Sequence, residues 1–191
     1  GVKIGHVSGA IAVAILMLGA RIFDAFNDPV TGLLIDNIRS PWGKFKPAIL
    51  VGGVLSAVFS VMLFAGIGEG WTFVIIFGIA YFLWDVTYGI NDIAYWTLLP
   101  AMSSDQKFRE KTGAFARICA NVGMYIVMVG WQPVTSALGD TPKAWFWCAV
   151  VVAIIYLLGL LFPLLGVKEK RVAMEDQEST TLKQMWVALT H

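Results

Sequence analysis

Charge is what this chain has least of. Lys and Arg number 14 and Asp and Glu 13, so 14% of the 191 residues are charged, against roughly 25% in ordinary soluble domains. A shortage of that size excludes a fully solvated globular surface. The net charge of +1 excludes the basic field that would draw nucleic acid. Histidine is nearly absent, with His6 and His191 at the two ends of the chain, which removes the usual metal ligand and general base. Cys119 and Cys148 both fall in apolar runs without metal-ligand spacing, and are expected to be buried, reduced thiols carrying no chemistry. With no nucleophile and base in register, neither an enzyme nor a resident cofactor is expected. Gly1 is not an initiator Met and no cationic segment precedes a short apolar core, so no signal peptide is expected in this stretch and the chain reads as part of something longer.

What is abundant is apolar surface: 58% hydrophobic residues, a mean hydropathy of +0.72, 12 Phe and 8 Trp. This composition defines an integral membrane chain, with aromatic rings collecting at interfaces and between packed helices. A spanning helix needs about 20 mostly apolar residues. Five segments provide them: Ser8 to Ile35, Pro47 to Ile67, Trp71 to Met102, Thr112 to Leu138, and Ala144 to Val167. The expected fold is an all-α, multi-pass transmembrane bundle over residues 1–167. A polar, mixed-charge tail follows over 168–191, whose final LKQMWVALTH regains helical amphipathicity. The second and fifth segments hold no charge and read as lipid-facing or scaffold helices. The first, third and fourth hold every intramembrane charge and are the functional candidates.

The connections alternate in sign. DNIRSPWGKFKP, SSDQKFREK and the tail's KEKR are basic, whereas GEGW and GDTPK share a single Lys. Basic loops face the cytoplasm, which places the chain in the cytoplasmic membrane with its tail inside. Within the first of these links, Asp36, Arg39, Lys44 and Lys46 can form ion pairs that exist in one conformation and break in another, a latch. SPWG supplies the turn.

The segment RIFDAFNDPVTG carries Arg21, Asp24, Asn27 and Asp28 on a continuing apolar helix. At 3.6 residues per turn the three charged residues lie within about 60° of one another. A charge at the bilayer centre costs at least ~2.5 kcal/mol, so this stripe must face protein or a water-filled interior. The third segment repeats the device in WDVTYGINDIAYW, where Asp85, Tyr88, Gly89, Asp92 and Trp96 share a face about 100° wide. Carboxylates beside an aromatic ring suit a sugar, whose hydroxyls ring its edge and whose C–H groups line its faces. Arg117 on the fourth segment can clamp a substrate oxygen or hold Asp92. Four aspartates against two arginines leave an anionic excess, to be met by protons, by a cation, or by basic groups on other helices. Asp24, Asn27 and Asp28 suit a hard monovalent cation with oxygen ligands. Structural ion pairs of Arg21 with Asp24, or of Arg117 with Asp92, are the plainer alternative, and Asp85 can equally face water on the outer side.

RIFDAFNDPVTGLLIDNIRSPWGKFKP and FLWDVTYGINDIAYWTLLPAMSSDQKFREKTGAFARICANVG closely resemble the glycoside/pentoside/hexuronide:cation symporters, the melibiose permease group of the major facilitator superfamily. The resemblance covers essentially the whole chain. It implies helices two to six of a twelve-helix carrier followed by the start of the central cytoplasmic loop, with the remaining helices as intramolecular partners. It further implies that Asp24, Asn27 and Asp28 hold the coupling cation, Na+ or H+, and that Asp92, Trp96 and Arg117 contact the sugar, with Tyr88 near both. The stretch from Asp36 to Lys46 is similar to the cytoplasmic motif that holds the outward-facing state closed. Two positions depart from the pattern. Gly89 stands where the group's namesake has a Thr oxygen near the cation, which favours H+ over Na+, and Asp85 stands where it has a Gly. The function implied is cation-coupled symport of a glycoside or related sugar. A lysophospholipid symporter and a non-transporting membrane scaffold or regulator are the alternatives.

Overall fold

The computed structural model describes residues 3–4, 7–38, 40–103 and 105–167, and within them every side chain except those at 3, 4, 7–10, 20, 22 and 24–26. The tail 168–191 and Arg39 lie outside the described residues. Five helices follow in order: α1 Gly9–Asp36, α2 Lys46–Leu63, α3 Gly70–Met102, α4 Gln106–Ala137 and α5 Pro142–Gly166. They match the five expected segments, with the ends moved by a few residues. A two-residue antiparallel pairing of β1 Lys3–Ile4 with β2 Val7–Ser8 precedes them, so Ser8 belongs to this small ladder rather than to the first helix.

Among the described residues, α2 to α5 combine the length and apolar composition needed to cross a membrane. At about 1.5 Å per residue, the 33 residues of α3 reach roughly 50 Å, well beyond a hydrocarbon core of about 30 Å. α1 has span length at 28 residues and carries its acidic residues and Pro29 in its second half. Local chemistry sets several boundaries. Asp105 caps α4 by accepting from the Lys107 amide at 3.0 Å. Thr141 caps α5 by accepting from the Ala144 amide at 3.2 Å, with Pro142 in the first turn, where its missing N–H costs nothing.

α2 is the centre of packing, lying against both α3 and α5, while α1 packs on α3. Its buried positions are Ala48, Ile49, Gly52, Gly53, Ser56 and Ala57, a small-residue seam at helical spacing that brings backbones together without large side chains between them. A Cβ at Gly52 would stand 2.8 Å from the Thr87 carbonyl oxygen and 2.9 Å from the Asn91 amide nitrogen. The continuous core gathers Ile35, Phe45, Ile49, Leu98 and Leu160, joining the ends of α1, α3 and α5 around the start of α2.

Both readings open for the uncharged helices are met: α2 packs between neighbours, while α5 keeps Trp147, Ile154, Ile155 and Leu158 exposed. α2 is scaffold in the strict sense, and α5 contributes to the site described below. α4 is the helix with least cover: Thr135 is its one buried residue, while Phe115, Tyr125 and Met128 stand exposed. Absence of charge is a poor guide to burial in a membrane, because lipid accepts Leu and Val as readily as a core does, whereas close approach is decided by small residues.

Candidate functional site

The polar face of α3 is ordered by its own helical spacing. Asp92 and Trp96 lie one turn apart, and the indole Nε1–H donates to Asp92 Oδ1 at 3.1 Å. From α4, the Arg117 guanidinium lies over the Trp96 ring at 5.5 Å from its centroid, a cation–π contact. Of the two roles open to Arg117, holding Asp92 directly is therefore not the one observed: Trp96 holds the carboxylate, and Arg117 covers Trp96. One turn earlier, the Tyr88 ring stacks on Trp84 with centroids 5.5 Å apart.

Between α3, α4 and α5 lies a cavity of about 880 Å³, walled by Tyr88, Asp92 and Trp96 from α3, by Phe115 and Cys119 from α4, and by Tyr156 from α5. Cys119 is exposed and Cys148 partly so, which corrects the expectation of two buried thiols. α4 is too uncovered to bury residue 119. Three of the four residues expected to touch substrate share the cavity wall, and the fourth, Arg117, reaches it through the Trp96 ring. Asp85 does not join them. It is 8% exposed, enclosed rather than turned to outer water.

On α1, Asn27 and Asp28 of the expected cation-binding stripe face α3 at Gly89. A Cβ placed on Gly89 would find the Asn27 Nδ2 atom at 3.9 Å and the Asp28 Oδ1 atom at 4.0 Å, ordinary van der Waals distances. Asn27 Oδ1 also accepts from Thr31 Oγ1 at 3.5 Å, one turn on. Asp24 occupies the preceding turn of α1, its side chain outside the described set, and Arg21 is exposed. Gly89 and Tyr88 are neighbours in sequence, so the α1 stripe and the α3 cavity meet across a single turn of one helix.

Of the latch residues, Asp36, Lys44 and Lys46 fall where α1, α2 and α5 converge. Lys44 Nζ pairs with Asp36 Oδ1 at 2.9 Å, and the same ammonium lies 5.5 Å from the Phe45 ring centroid. Lys46 Nζ donates to the Leu164 carbonyl at 2.8 Å, bonding the start of α2 to the last turn of α5, where a cation also meets the negative end of the helix dipole.

Sequence reasoning passed over a second polar group beside the cavity. Asn91, 7% exposed, donates through Nδ2 to the Ile49 carbonyl at 2.9 Å and accepts at Oδ1 from the Tyr156 hydroxyl at 3.0 Å. The signal was present in the chain. Asn91 interrupts an apolar run directly before Asp92, and Tyr156 is the one hydroxyl-bearing residue of α5.

Comparison with known proteins identifies the family. The family model described as "MFS/sugar transport protein" matches residues 7–190. The chain belongs to that family, a family of transporters rather than of enzymes. It is 36% identical over 187 residues to a lactose permease of Lactobacillus delbrueckii subsp. bulgaricus, covering 91% of this chain and 30% of that protein. It is 28% identical over 191 residues to a raffinose carrier protein of Pediococcus pentosaceus, covering 93% and 30%. With an isoprimeverose transporter of Lactiplantibacillus pentosus it shares 28% identity over 193 residues, covering 96% and 39%. The chain thus spans about a third of the length of these relatives. As an MFS chain it is a multi-pass membrane protein, and the cavity lies among its helices α3, α4 and α5.

Proposed function

We propose that this chain supplies the cation- and sugar-binding helices of a secondary active symporter in the cytoplasmic membrane, moving a glycoside or related sugar with Na+ or H+. The observation that carries the proposal is the contiguity of two unlike sites. Asn27 and Asp28 on α1 meet α3 at Gly89, one turn from the cavity where Asp92 is presented by Trp96. A carboxylate beside an indole face matches the edge and face of a pyranose. The relatives' names, lactose permease, raffinose carrier and isoprimeverose transporter, support a sugar of one or more rings.

In this reading a cation bound among Asp24, Asn27 and Asp28 offsets the mutual repulsion of the two carboxylates and fixes the α1 stripe against α3. That fixes the face offered to the sugar. Affinity for the sugar rises with cation occupancy, and linkage requires the reverse to hold by the same factor. Alternating access follows from rocking these helices, residues 1–167, against the remainder of the carrier. The Asp36–Lys44 pair and the Lys46–Leu164 bond lie within that unit and brace the ends of α1, α2 and α5.

A lysophospholipid cargo draws support from one observation: toward the ends of α3 and α5 the cavity wall is apolar, formed by Leu98, Leu99, Met102, Phe162 and Val167. The same experiment separates the two readings. Uptake of labelled lactose, raffinose and isoprimeverose by cells expressing the full-length protein is measured with and without Na+ across pH, beside a labelled lysophospholipid. Uptake of a sugar that depends on the cation and is abolished by Asp28→Asn is the expected result. Uptake of the lysophospholipid alone assigns the cavity to the lipid. Uptake unchanged by Asp24→Asn and Asp28→Asn removes cation coupling through this stripe.

A further inference from the structure

The polar group formed by the buried Ser56 and Asn91 with the half-buried Tyr156 joins α2, α3 and α5 at the wall of the cavity, and its hydrogens can be assigned. The Ile49 carbonyl can only accept, so the atom of Asn91 that stands 2.9 Å from it must be the amide nitrogen, which settles the orientation of the amide. Asn91 Oδ1 then points to Tyr156 and can only accept, so the phenol hydrogen is committed to it at 3.0 Å. Ser56, 2% exposed, lies 3.4 Å from the same phenol oxygen and has a shorter partner for its own hydrogen in the Gly53 carbonyl at 3.0 Å. Tyr156 is left with lone pairs and no hydrogen to give. Both Tyr156 and Asn91 line the cavity, together with Asp92.

We propose that Tyr156 is a specificity-determining contact of the sugar site, its phenol oxygen accepting a hydrogen bond from one substrate hydroxyl. This role presupposes that the cavity takes a sugar. Its consequence is chemical rather than steric. Opposite Tyr156 the site tolerates a donor, so a hydroxyl is accepted. Fluorine, which can accept but not donate, is rejected along with hydrogen. Asp92 makes a similar demand from α3, and the two acceptors on different helices select a pair of hydroxyls at a fixed separation. Because the phenol hydrogen is held by Asn91, the polarity of the contact is set by a residue that need not touch the sugar: Asn91 is a positioning residue.

The test uses the full-length carrier and whichever of lactose, raffinose or isoprimeverose it takes up, with the monodeoxy and monofluoro derivative at each ring position. Transport KM and maximal rate are normalised to the amount of protein in the membrane. In the unaltered carrier, at least two positions are expected to lose about tenfold or more in apparent affinity for both the deoxy and the fluoro derivative, the range set by one lost hydrogen bond in a desolvated site. Tyr156→Phe is expected to abolish that penalty at one position only and to leave the other, which belongs to Asp92. Asn91→Leu frees the phenol hydrogen, so at the Tyr156 position the fluoro derivative recovers while the deoxy derivative does not. A merely structural tyrosine would lower uptake of every derivative alike. Penalties that persist unchanged at all positions in Tyr156→Phe overturn the proposal. If that variant does not reach the membrane, an unrecovered fluoro derivative in Asn91→Leu overturns it equally. A carrier that takes up none of the three sugars overturns the sugar reading itself, and this proposal falls with it.

Discussion

Trp96 and Asp92 stand one turn apart on α3, and the indole N–H donates to the carboxylate at 3.1 Å. One carboxylate oxygen is therefore engaged and the side chain cannot rotate freely, which in the proposed sugar site leaves the other oxygen to accept from a substrate hydroxyl. The Arg117 guanidinium over the same ring fixes the indole from the opposite helix. Trp96→Phe keeps an aromatic face for the sugar and removes the bond. A hydrogen bond to a charged group contributes about 1.5–3 kcal/mol, so KM for sugar uptake is expected to rise by about tenfold or more, with maximal rate largely kept. Asp92→Asn, which retains shape and loses charge, is expected to abolish binding more completely. Equal KM for Trp96→Phe and the parent carrier, at matched membrane abundance, would show that the bond does not order the site.

Gly89 of α3 faces Asn27 and Asp28 of the α1 stripe, with space for a small side chain. A Cβ there meets Asn27 and Asp28 side-chain atoms at 3.9 and 4.0 Å, without overlap. Gly89→Ser or Gly89→Thr places a hydroxyl oxygen beside the proposed cation position, and an extra oxygen ligand favours a hard cation over a proton. The expected outcome is a gain in Na+ stimulation of sugar uptake relative to the parent, measured as initial rate against Na+ concentration at fixed pH. An unchanged Na+ response, with sugar affinity intact, would place the cation away from Gly89.

Much of this was legible in the chain because a bilayer simplifies the grammar. Segments of about 20 apolar residues must be helices, and polar residues inside them must share a face, so the five helices and the register of Tyr88, Asp92 and Trp96 followed from spacing alone. The Asp36–Lys44 pair was also visible, since opposite charges flank one short turn. What spacing does not encode is which helix lies beside which. The centrality of α2 depends on Gly52 and Gly53, whose role is the absence of a side chain. The bond between Asn91 and Tyr156 links residues 65 apart in sequence. The covering of Trp96 by Arg117, in place of an ion pair with Asp92, is likewise a matter of relative helix position.

The pair at the α1–α2 turn is asymmetric in its exposure, and that asymmetry sets the direction of its response. The Lys44 side chain is 11% exposed and that of Asp36 42%. Removing Asp36 leaves an ammonium in a poorly solvated place, whereas removing Lys44 leaves a carboxylate that water can reach. Asp36→Asn is therefore expected to lower the apparent Tm of the purified carrier more than Lys44→Met does, and the double variant is expected to recover part of the loss. Equal effects of the two single variants would mean that Lys44 is held by its packing on Phe45 rather than by its charge partner.

Gly52 offers the sharpest test of the helix packing that underlies both sites. In a helix interior, Gly→Ala gains about 0.5–1 kcal/mol from reduced chain entropy, so a stabilising effect is the default. At Gly52 the added Cβ meets two backbone atoms of α3, at 2.8 and 2.9 Å, and neither can swing aside as a side chain would. Forcing the helices apart costs about 1–3 kcal/mol, enough to reverse the sign. Gly52→Ala is expected to lower the apparent Tm by about 3 °C or more. It should also weaken sugar uptake, because the displaced backbone belongs to Thr87 and Asn91, the turn that carries Tyr88 and Asp92. Gly130→Ala on α4, where nothing stands within 4 Å, serves as the control and is expected to leave Tm unchanged or raise it. A Gly52→Ala carrier as stable as the Gly130→Ala carrier would mean that α2 and α3 are not in the contact described, and the placement of Asn91 and of the cavity wall would have to be revised with it.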